Sequence, residues 1–447
     1  IDLKNTYINK DFNNLIDSKS SYEDLSLINL TSKDLQEIDI YINLEQWQTS
    51  DITGRKMNKG NKLNVIRYLD FILGYFEEVI KKNNPKIIFD LDTSEAIRKV
   101  LSLACKKYKV KYLTLCASRY RDYILKTTTL GENLVSEYNT DSISKDDIQK
   151  AKYSIQKFLD SKSLLNTDEK NFQKKQQLDS IKTLIYSIYS DIRFSLKTFI
   201  SQNRTKKLIS FHENANLKEI FFPSQFKTLL FNIKYRFKLF LANDNKDIPS
   251  NIFENFFYFP LSYLSEGLSA QTLGDFLSDY EVINRIRIFF PFNKKLIIKE
   301  HRAMLNERRF SDKKRLKSLN INSFFYVGDS IKNNINLSPY ELINKSLGVI
   351  VHSGTSGLEA MLLNKPVLIF GNPIYSQFIP KKVNVNSSKE LKNFFNYPQN
   401  YITPQDSVAY YVAFVMKFGL RFNYSNIFGN LTKQEAKVLA KFFLEEI

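Results

Sequence analysis

Two short apolar runs flank a polar turn and a helix-sized segment in 348-GVIVHSGTSGLEAMLLNKPVLIFGNPIY-375. Runs this short, bounded by Gly, Ser and Pro, suit strands covered on both faces better than helices. Two such strands joined through a helix run parallel, because the helical crossover brings the chain back to the same edge. The unit recurs along the chain. Strand candidates 86-KIIFDL-91 and 110-VKYLTL-115 flank a helical stretch, 93-TSEAIRKVLSLACKKY-108. Further on, 255-NFFYFPLSY-263, 286-IRIFF-290, 295-KLIIKEH-301, 323-SFFYV-327, 347-LGVIVH-352 and 366-PVLIF-370 read as strands. Ser338 and Pro339 are placed to open a helix over 338–346 as N-cap and first helical residue. Thr432 and Glu435 form a capping box before the closing helix.

This alternation predicts an α/β fold, and 447 residues exceed what one hydrophobic core usually serves. A first Rossmann-like domain is expected at 1–130, a helical insertion or linker at 131–250, a second Rossmann-like domain at 251–425, and a final helix at 426–447. Within the insertion, 226-FKTLLFNIKYRFKLFLA-242 places Phe226, Leu229, Leu230, Ile233, Phe237, Phe240 and Leu241 on one helical face. Lys227, Lys234, Arg236 and Lys238 lie mostly elsewhere on it. Such a helix either packs its apolar face on the protein or lies in a membrane interface.

The formal net charge is +18, from 65 basic and 47 acidic residues, which favours an anionic partner without choosing among nucleic acid, membrane surface and phosphorylated substrate. No nucleic-acid motif accompanies the charge, and the basic residues are dispersed, so a nucleic-acid partner is not expected. Cys105 and Cys116 are the only cysteines and lack metal-ligand spacing, which suggests a reducing, cytoplasmic compartment. His212, His301 and His352 stand far apart, against a zinc site. The most apolar stretch, 407-SVAYYVAFVMKFGLRF-422, is interrupted by Lys417 and reads as a buried helix rather than a membrane span.

Four clusters carry groups suited to chemistry. After strand 347–352, the turn 353-SGTSG-357 opens a helix whose free N–H groups and dipole favour an anion. Gly354 and Gly357 permit close backbone approach, and Ser353, Thr355 and Ser356 supply hydroxyls. Together they would cradle a phosphate or diphosphate, with Glu359 accepting from ribose or sugar hydroxyls. The plain alternative is a capped helix in which Glu359 complements the dipole. Lys299, Glu300 and His301 emerge at the carboxyl end of their own strand, with Arg302 next. They meet the 353–359 turn if both strands belong to one sheet, since ligands of open parallel sheets sit beyond those ends. A histidine there can donate to a phosphate or protonate a leaving group. Glu266, Gln271 and Asp275 follow strand 255–263, and Asp90, Asp92 and Glu95 stand at the end of strand 86–91; either acidic cluster suits a base or sugar hydroxyls.

Read in order, "YFPLSYLSEG", "KLIIKEHRAM" and "ELINKSLGVIVHSGTSGLEAMLLNKPVLIFGNPIY" resemble the bacterial capsular polysaccharide synthesis glycosyltransferases, which include the capsule Kdo transferases. The resemblance covers about 255–378, with weaker support from 84–125. It implies a GT-B-like architecture, with two Rossmann-like domains facing across a cleft and a helical insertion. A nucleotide-sugar donor would occupy the C-terminal half, and a glycan or lipid-linked glycan would accept the sugar. By this resemblance Lys299, Glu300, Arg302, Ser353, Gly354, Thr355, Ser356 and Glu359 line the donor site, and His301 stands near the donor phosphate. Arg302 replaces the family's proline after that histidine, and Ser262 replaces a second histidine. Glu266 is then the first candidate for the catalytic acid or base, with Asp92 or Glu95 the alternative from the facing domain. Positive side chains and a helix N-terminus take the place of a metal, so neither metal nor cofactor is expected.

The leading expectation is a metal-independent glycosyltransferase acting on a capsule or lipopolysaccharide glycan. It would be cytoplasmic, with peripheral inner-membrane contact through 226–242. The alternatives are a nucleotide-sugar 2-epimerase-like enzyme, and a catalytically degenerate or anionic-surface binding protein.

Overall fold

In the computed structural model the strands between residues 250 and 370 assemble into one five-stranded parallel sheet. The structure describes residues 29–38, 62–90, 96–130, 134–163, 250–262, 279–301, 323–327, 338–380, 382–423 and 431–445, with isolated positions at 165, 185, 186, 188, 189, 192, 193, 233, 316 and 318. The strands are β4 (Phe256–Pro260), β5 (Lys295–Lys299), β6 (Phe324–Val327), β7 (Gly348–Val351) and β8 (Val367–Ile369), in the spatial order β6-β5-β4-β7-β8. Every neighbouring pair is parallel, with Pro260 opposite Lys299 and Lys299 opposite Val327. The chain steps outward from β4 through β5 to β6, then returns to the other side of β4 as β7 and β8. The topological switch point therefore lies between β4 and β7.

Both faces of this sheet are buried, which is why its strands read as unbroken apolar runs. Phe256, Tyr258, Ile297, Val349, Val351 and Ile369 enter one core with α6 (Thr355–Leu362) and α8 (Gln405–Phe418). The alternate residues Phe257, Phe259, Leu296, Ile298, Ile350 and Leu368 enter a second core with α4 (Asp279–Phe289) and α7 (Ser388–Asn396). Period-two alternation assigns each side chain to its layer.

One strand expectation is corrected here. Residues 286–290 do not form a strand: α4 runs to Phe289. Val282, Ile283 and Ile286 are buried at helical spacing against the second core, and Pro291 follows as a stop. The short apolar window 286–290 shared both periods, and the i, i+4 partners upstream decided it.

A second sheet has the order β1-β2-β3-β9, formed by β1 (Ile87–Phe89), β2 (Lys111–Ala117), β3 (Tyr123–Thr127) and β9 (Leu420–Arg421). β1 and β2 are parallel, joined through α2 (Ala96–Lys107), as the alternation predicts. β2 then reverses directly into antiparallel β3, which pairs with antiparallel β9. The closing helix α9 (Lys433–Leu444) places Leu439, Phe442 and Phe443 against Leu113, Leu115 and Ile124 of this sheet.

Two compact units divide the chain: Ile1–Tyr75 with Gln176–Asp244, and Phe76–Lys175 with Asn245–Ile447. Both sheets belong to the second unit. In the first, Asp70 accepts the N–H groups of Asn29 and Leu30 at 2.8 and 2.7 Å, tying the start of the 32–38 helix to α1 (Lys62–Asn83).

Within the second unit the two sheets share a core. Cys116, Tyr120 and Leu125 join the same cluster as Tyr258, Val349 and Leu358, and α8 supplies Val408, Tyr411, Val412, Phe414 and Val415 to it. α3 (Lys145–Ser161) packs on α8 with Ala151, Ile155 and Phe158 in that cluster. A helix apolar on every side is a buried one. This accounts for the span-like look of 407–422. Among the described residues no helix is long and apolar enough to cross a membrane.

Candidate functional site

Because the five strands are all parallel, the residues just after them emerge along a single edge. β4 delivers Leu261 and Ser262, β5 delivers Glu300 and His301, and β7 delivers His352, Ser353 and Gly354. Lys299, Glu300 and His301 thus share a sheet edge with the 353–359 turn, the condition on which the sequence reading depended. β4 alone separates the two strands.

The turn after β7 lacks the side-chain cap found at four other helix starts, as does that of α8 with Pro404 at its N-cap. Ser144, Ser338, Ser387 and Thr432 cap their helices, each side chain accepting an N–H from the first turn. At α6 the N-cap is Gly354, with φ −75° and ψ 163° and no side-chain cap. The opening N–H groups of α6 therefore lack the side-chain acceptor that satisfies those other helices. A Cβ built on Gly354 meets nothing within 4 Å, so the glycine leaves open space in front of the turn. Its φ is accessible to any residue, and that space, rather than backbone freedom, is what the glycine provides.

Gly357 has a different job. A Cβ there would stand 2.3 Å from Tyr375 Oη and 2.9 Å from Val351 Cγ2. It is a packing glycine that lets α6 lie close to β7 and Tyr375. Tyr375 is fully buried and its Oη donates to the Gly354 carbonyl at 2.7 Å. Burial pushes its pKa up, so it stays a neutral donor, with Arg119 pulling in the opposite direction and Glu359 adding to the rise. Ser353 is 0% exposed, and its Oγ has no hydrogen-bond partner. Continuing the alternation past Val351, it falls on the layer that holds α6 and Tyr375. Thr355 and Ser356 are half-buried.

The carboxylates near this edge hold the fold together. Glu359, at 3% exposure, accepts the N–H of Leu165 at 3.0 Å through Oε1, which fastens the segment after α3 to α6. Glu300, at 4% exposure, accepts from Tyr326 Oη at 2.8 Å and from the backbone N–H of His301 at 2.9 Å. Lys299 is buried beside it and His301 is half-buried.

A further buried group was not anticipated. Asp279, the first residue of α4, accepts from Ser262 through both its N–H (2.7 Å) and its Oγ (2.8 Å). Its Oδ1 lies 3.4 Å from Nδ1 of His352, which is 1% exposed. Asp279 thereby joins the ends of β4 and β7 across the switch point. The sequence signal was faint: Ser262 was read only as a replaced histidine, and Asp279 falls at the start of a helix whose C-terminal half resembled a strand.

Arg119 was also missed. It lies in the β2–β3 turn with φ 64°, half-buried, and neither periodicity nor a motif marks it.

Other expected residues fall outside the described residues: Glu266, Gln271 and Asp275, Asp92 and Glu95, Arg302, and the 226–242 helix apart from Ile233. Asp90 is described; it accepts from Tyr112 Oη at 3.0 Å and pairs with Arg98. Among the described residues no group of three His, Cys, Asp or Glu is placed to hold a metal ion.

The family model described as "Capsule polysaccharide biosynthesis protein" matches residues 154–378, which contain the whole edge described above. Distant likenesses occur among solved structures. The beta Kdo 2,4 transferase of KpsC from Thermosulfurimonas dismutans superposes with a TM-score of 0.39 and 10% identity, over 74% of this chain and 80% of that one. The beta Kdo 2,7 transferase of the same protein gives 0.28 and 12%, over 76% and 89%. The Methanocaldococcus jannaschii UDP-GlcNAc 2-epimerase, in complex with UDP-GlcNAc and UDP, gives 0.27 and 11%, over 79% and 81%. No curated protein matches the sequence. The strand order carries the α/β architecture by itself.

Proposed function

Since the chain belongs to the capsule polysaccharide biosynthesis family, whose model covers residues 154–378, we propose that it is a glycosyltransferase that moves a sugar from a nucleotide donor to a bacterial surface glycan. The observation that carries this reading is the uncapped N-terminus of α6 facing open space beside the switch point. Helix N-termini after strands in open parallel sheets favour phosphate, and nucleotide-activated sugars present one or two.

In this reading the N–H groups of Thr355 and Ser356 and the Ser353 hydroxyl receive the donor's phosphate. Lys299 and His301 add positive charge from the end of β5, one strand away. His301 is placed to protonate the departing phosphate oxygen, or to donate a hydrogen bond to it, as the glycosidic bond to the donor breaks. The acceptor hydroxyl loses its proton to a carboxylate, for which Glu266 is the first candidate and Asp92 the alternative. Glu359 acts by holding the 165 segment against the turn, and Glu300 by fixing the backbone at His301. Arg302 would extend the cationic edge. The acceptor is a glycan or lipid-linked glycan, with 226–242 as the segment that meets an anionic membrane. The site is proposed to work without a metal.

The test is a binding and turnover screen with CMP, UDP, GDP and dTDP and their sugars. One nucleotide should raise the melting temperature by mass action, and the matching sugar should be consumed when glycan acceptor is present. His301→Ala should lower turnover while the fold survives. Interconversion of a UDP-sugar without acceptor would replace this reading with epimerisation, and no stabilisation by any nucleotide would remove the donor site.

A further inference from the structure

The β2–β3 turn reaches the same place from the other sheet. Tyr411 of α8 donates its Oη to the carbonyl of Ser118, the residue before Arg119. The Tyr411 ring stands 6.4 Å from that of Tyr375, and Tyr375 Oη holds the Gly354 carbonyl. Ser118, Tyr411, Tyr375 and Gly354 therefore form a continuous buried connection from the β2–β3 turn to the N-cap of α6. Arg119 also bears electrostatically on both tyrosines, lowering each pKa against the effect of burial.

The turn is firmly held. Ser118 Oγ donates to the Tyr123 carbonyl at 2.7 Å, Tyr120 Oη shares a 2.6 Å hydrogen bond with Ser154 Oγ of α3, and Arg121 donates to the Ser154 carbonyl at 3.3 Å. Arg119 itself adopts φ 64°, a conformation that an L residue with a long side chain takes only when its surroundings impose it. The residue is half-buried, and its guanidinium makes no hydrogen bond or ion pair with any described residue. A partly desolvated cation without a counter-charge is unfavourable unless an anion completes it.

We propose that Arg119 is a binding residue for the phosphate held at the β7–α6 turn, delivered to it from the β2–β3 turn of the other sheet. The inference rests on the anion-site reading of the 353–356 turn and extends it. Three independent observations bear on it: the uncapped helix, the buried Ser353 Oγ with no partner, and a half-buried arginine beside the Tyr411–Tyr375 connection with no counter-ion among the described residues. The ligand is anionic through its phosphate, so the arginine distinguishes nucleotides from nucleosides.

Binding of CMP, UDP and GDP is measured by calorimetry beside cytidine, uridine and guanosine, for the unaltered protein and for Arg119→Met, Arg119→Lys and Arg119→Gly. Arg119→Met should weaken the bound nucleotide about 10- to 100-fold, the range of a lost charge-assisted hydrogen bond, and leave any nucleoside binding unchanged. Arg119→Lys should recover part of it. Arg119→Gly should lose nucleotide affinity as Met does while melting no lower than the unaltered protein, because glycine takes the left-handed conformation without penalty. Unaltered nucleotide binding in Met and Gly variants that fold would overturn the role of Arg119 and leave the turn as the phosphate site. Failure of the unaltered protein to bind any nucleotide would overturn both readings.

Discussion

Gly354 and Gly357 lie three residues apart in one turn, and the structure gives them opposite sensitivities. Ala at 354 adds a methyl group where nothing stands within 4 Å, at φ −75° and ψ 163°. The cost is the weaker N-cap preference of alanine, about 1 kcal/mol or less. Ala at 357 must displace Tyr375 Oη from 2.3 Å and press on Val351 Cγ2 at 2.9 Å. Overpacking of that kind costs roughly 1–3 kcal/mol, and losing the Tyr375–Gly354 hydrogen bond adds about 1 kcal/mol. The helix preference of Ala over Gly offsets about 1 kcal/mol. Gly357→Ala should therefore destabilise by about 1–3 kcal/mol, several-fold more than Gly354→Ala. For ligand the order reverses. A methyl group at 354 fills the space in front of the N–H groups, and losing one or two charge-assisted hydrogen bonds weakens a nucleotide by about 1.5–3 kcal/mol, roughly 10- to 150-fold. Urea denaturation midpoints and nucleotide titrations on both variants read the two quantities separately. Gly354→Ala that melts like Gly357→Ala would show that the turn is not open, and Gly354→Ala that binds nucleotide unimpaired would show that the phosphate lies elsewhere.

Two further outcomes follow from buried or capped carboxylates. Asp279→Ala leaves the N–H and Oγ of Ser262 without their acceptor beside His352, and should cost about 2–4 kcal/mol in chemical denaturation, with Asp279→Asn milder; a loss below 1 kcal/mol would mean the switch-point link is dispensable. Asp147 is held down to about 2 by the N–H of Ser144 first, and by Lys417 and the Ser144 hydroxyl after it. Its folded pKa lies below the ordinary 3.8, so its contribution is present above about pH 4 and is lost as pH falls toward 2. Asp147→Asn should flatten the fall in urea midpoint across that window, and an unchanged slope would assign the acid sensitivity to other groups.

The five-stranded sheet was legible because its strands are buried on both faces. Unbroken apolar runs at β5, β6, β7 and β8 fall within two residues of the observed bounds, as do the capping signals at Ser338 and Thr432. The 286–290 window failed because five residues do not separate a period of two from one of 3.6. The β2–β3 reversal was hidden for another reason. It is made by Arg119 and Arg121 at φ 64° and 48°, without glycine or proline to announce a turn. At the site, motif spacing found the strand ends and the 353–357 turn, since those are local. Asp279, Tyr375 and Arg119 reach it from distant segments, and only packing brings them together. Even the two glycines of that turn looked alike in sequence, and only Tyr375 tells them apart.

The placement of Arg119 also resolves an electrostatic difficulty in the site. Glu359 is buried in the first turns of α6, the helix proposed to hold an anion, and the Tyr375 hydroxyl feels both it and Arg119. A carboxylate in the same turns opposes an anion there, whereas a helix end supplies only about half a positive charge. The uncapped turn alone would thus barely hold a phosphate beside that carboxylate. A full positive charge on a fixed backbone reverses the balance. The net charge of +18 is spread over the chain and screened beyond about 10 Å in ordinary salt, so it cannot do this at one turn. Nucleotide affinity should consequently depend far more on Arg119 than on any exposed lysine of α3. Charge reversal at Lys150 and Lys152, whose side chains are well exposed and pair with Asp146 and Asp406, should leave the nucleotide titration within two-fold of the unaltered protein, and a larger loss would mean that the distributed charge, rather than Arg119, attracts the donor.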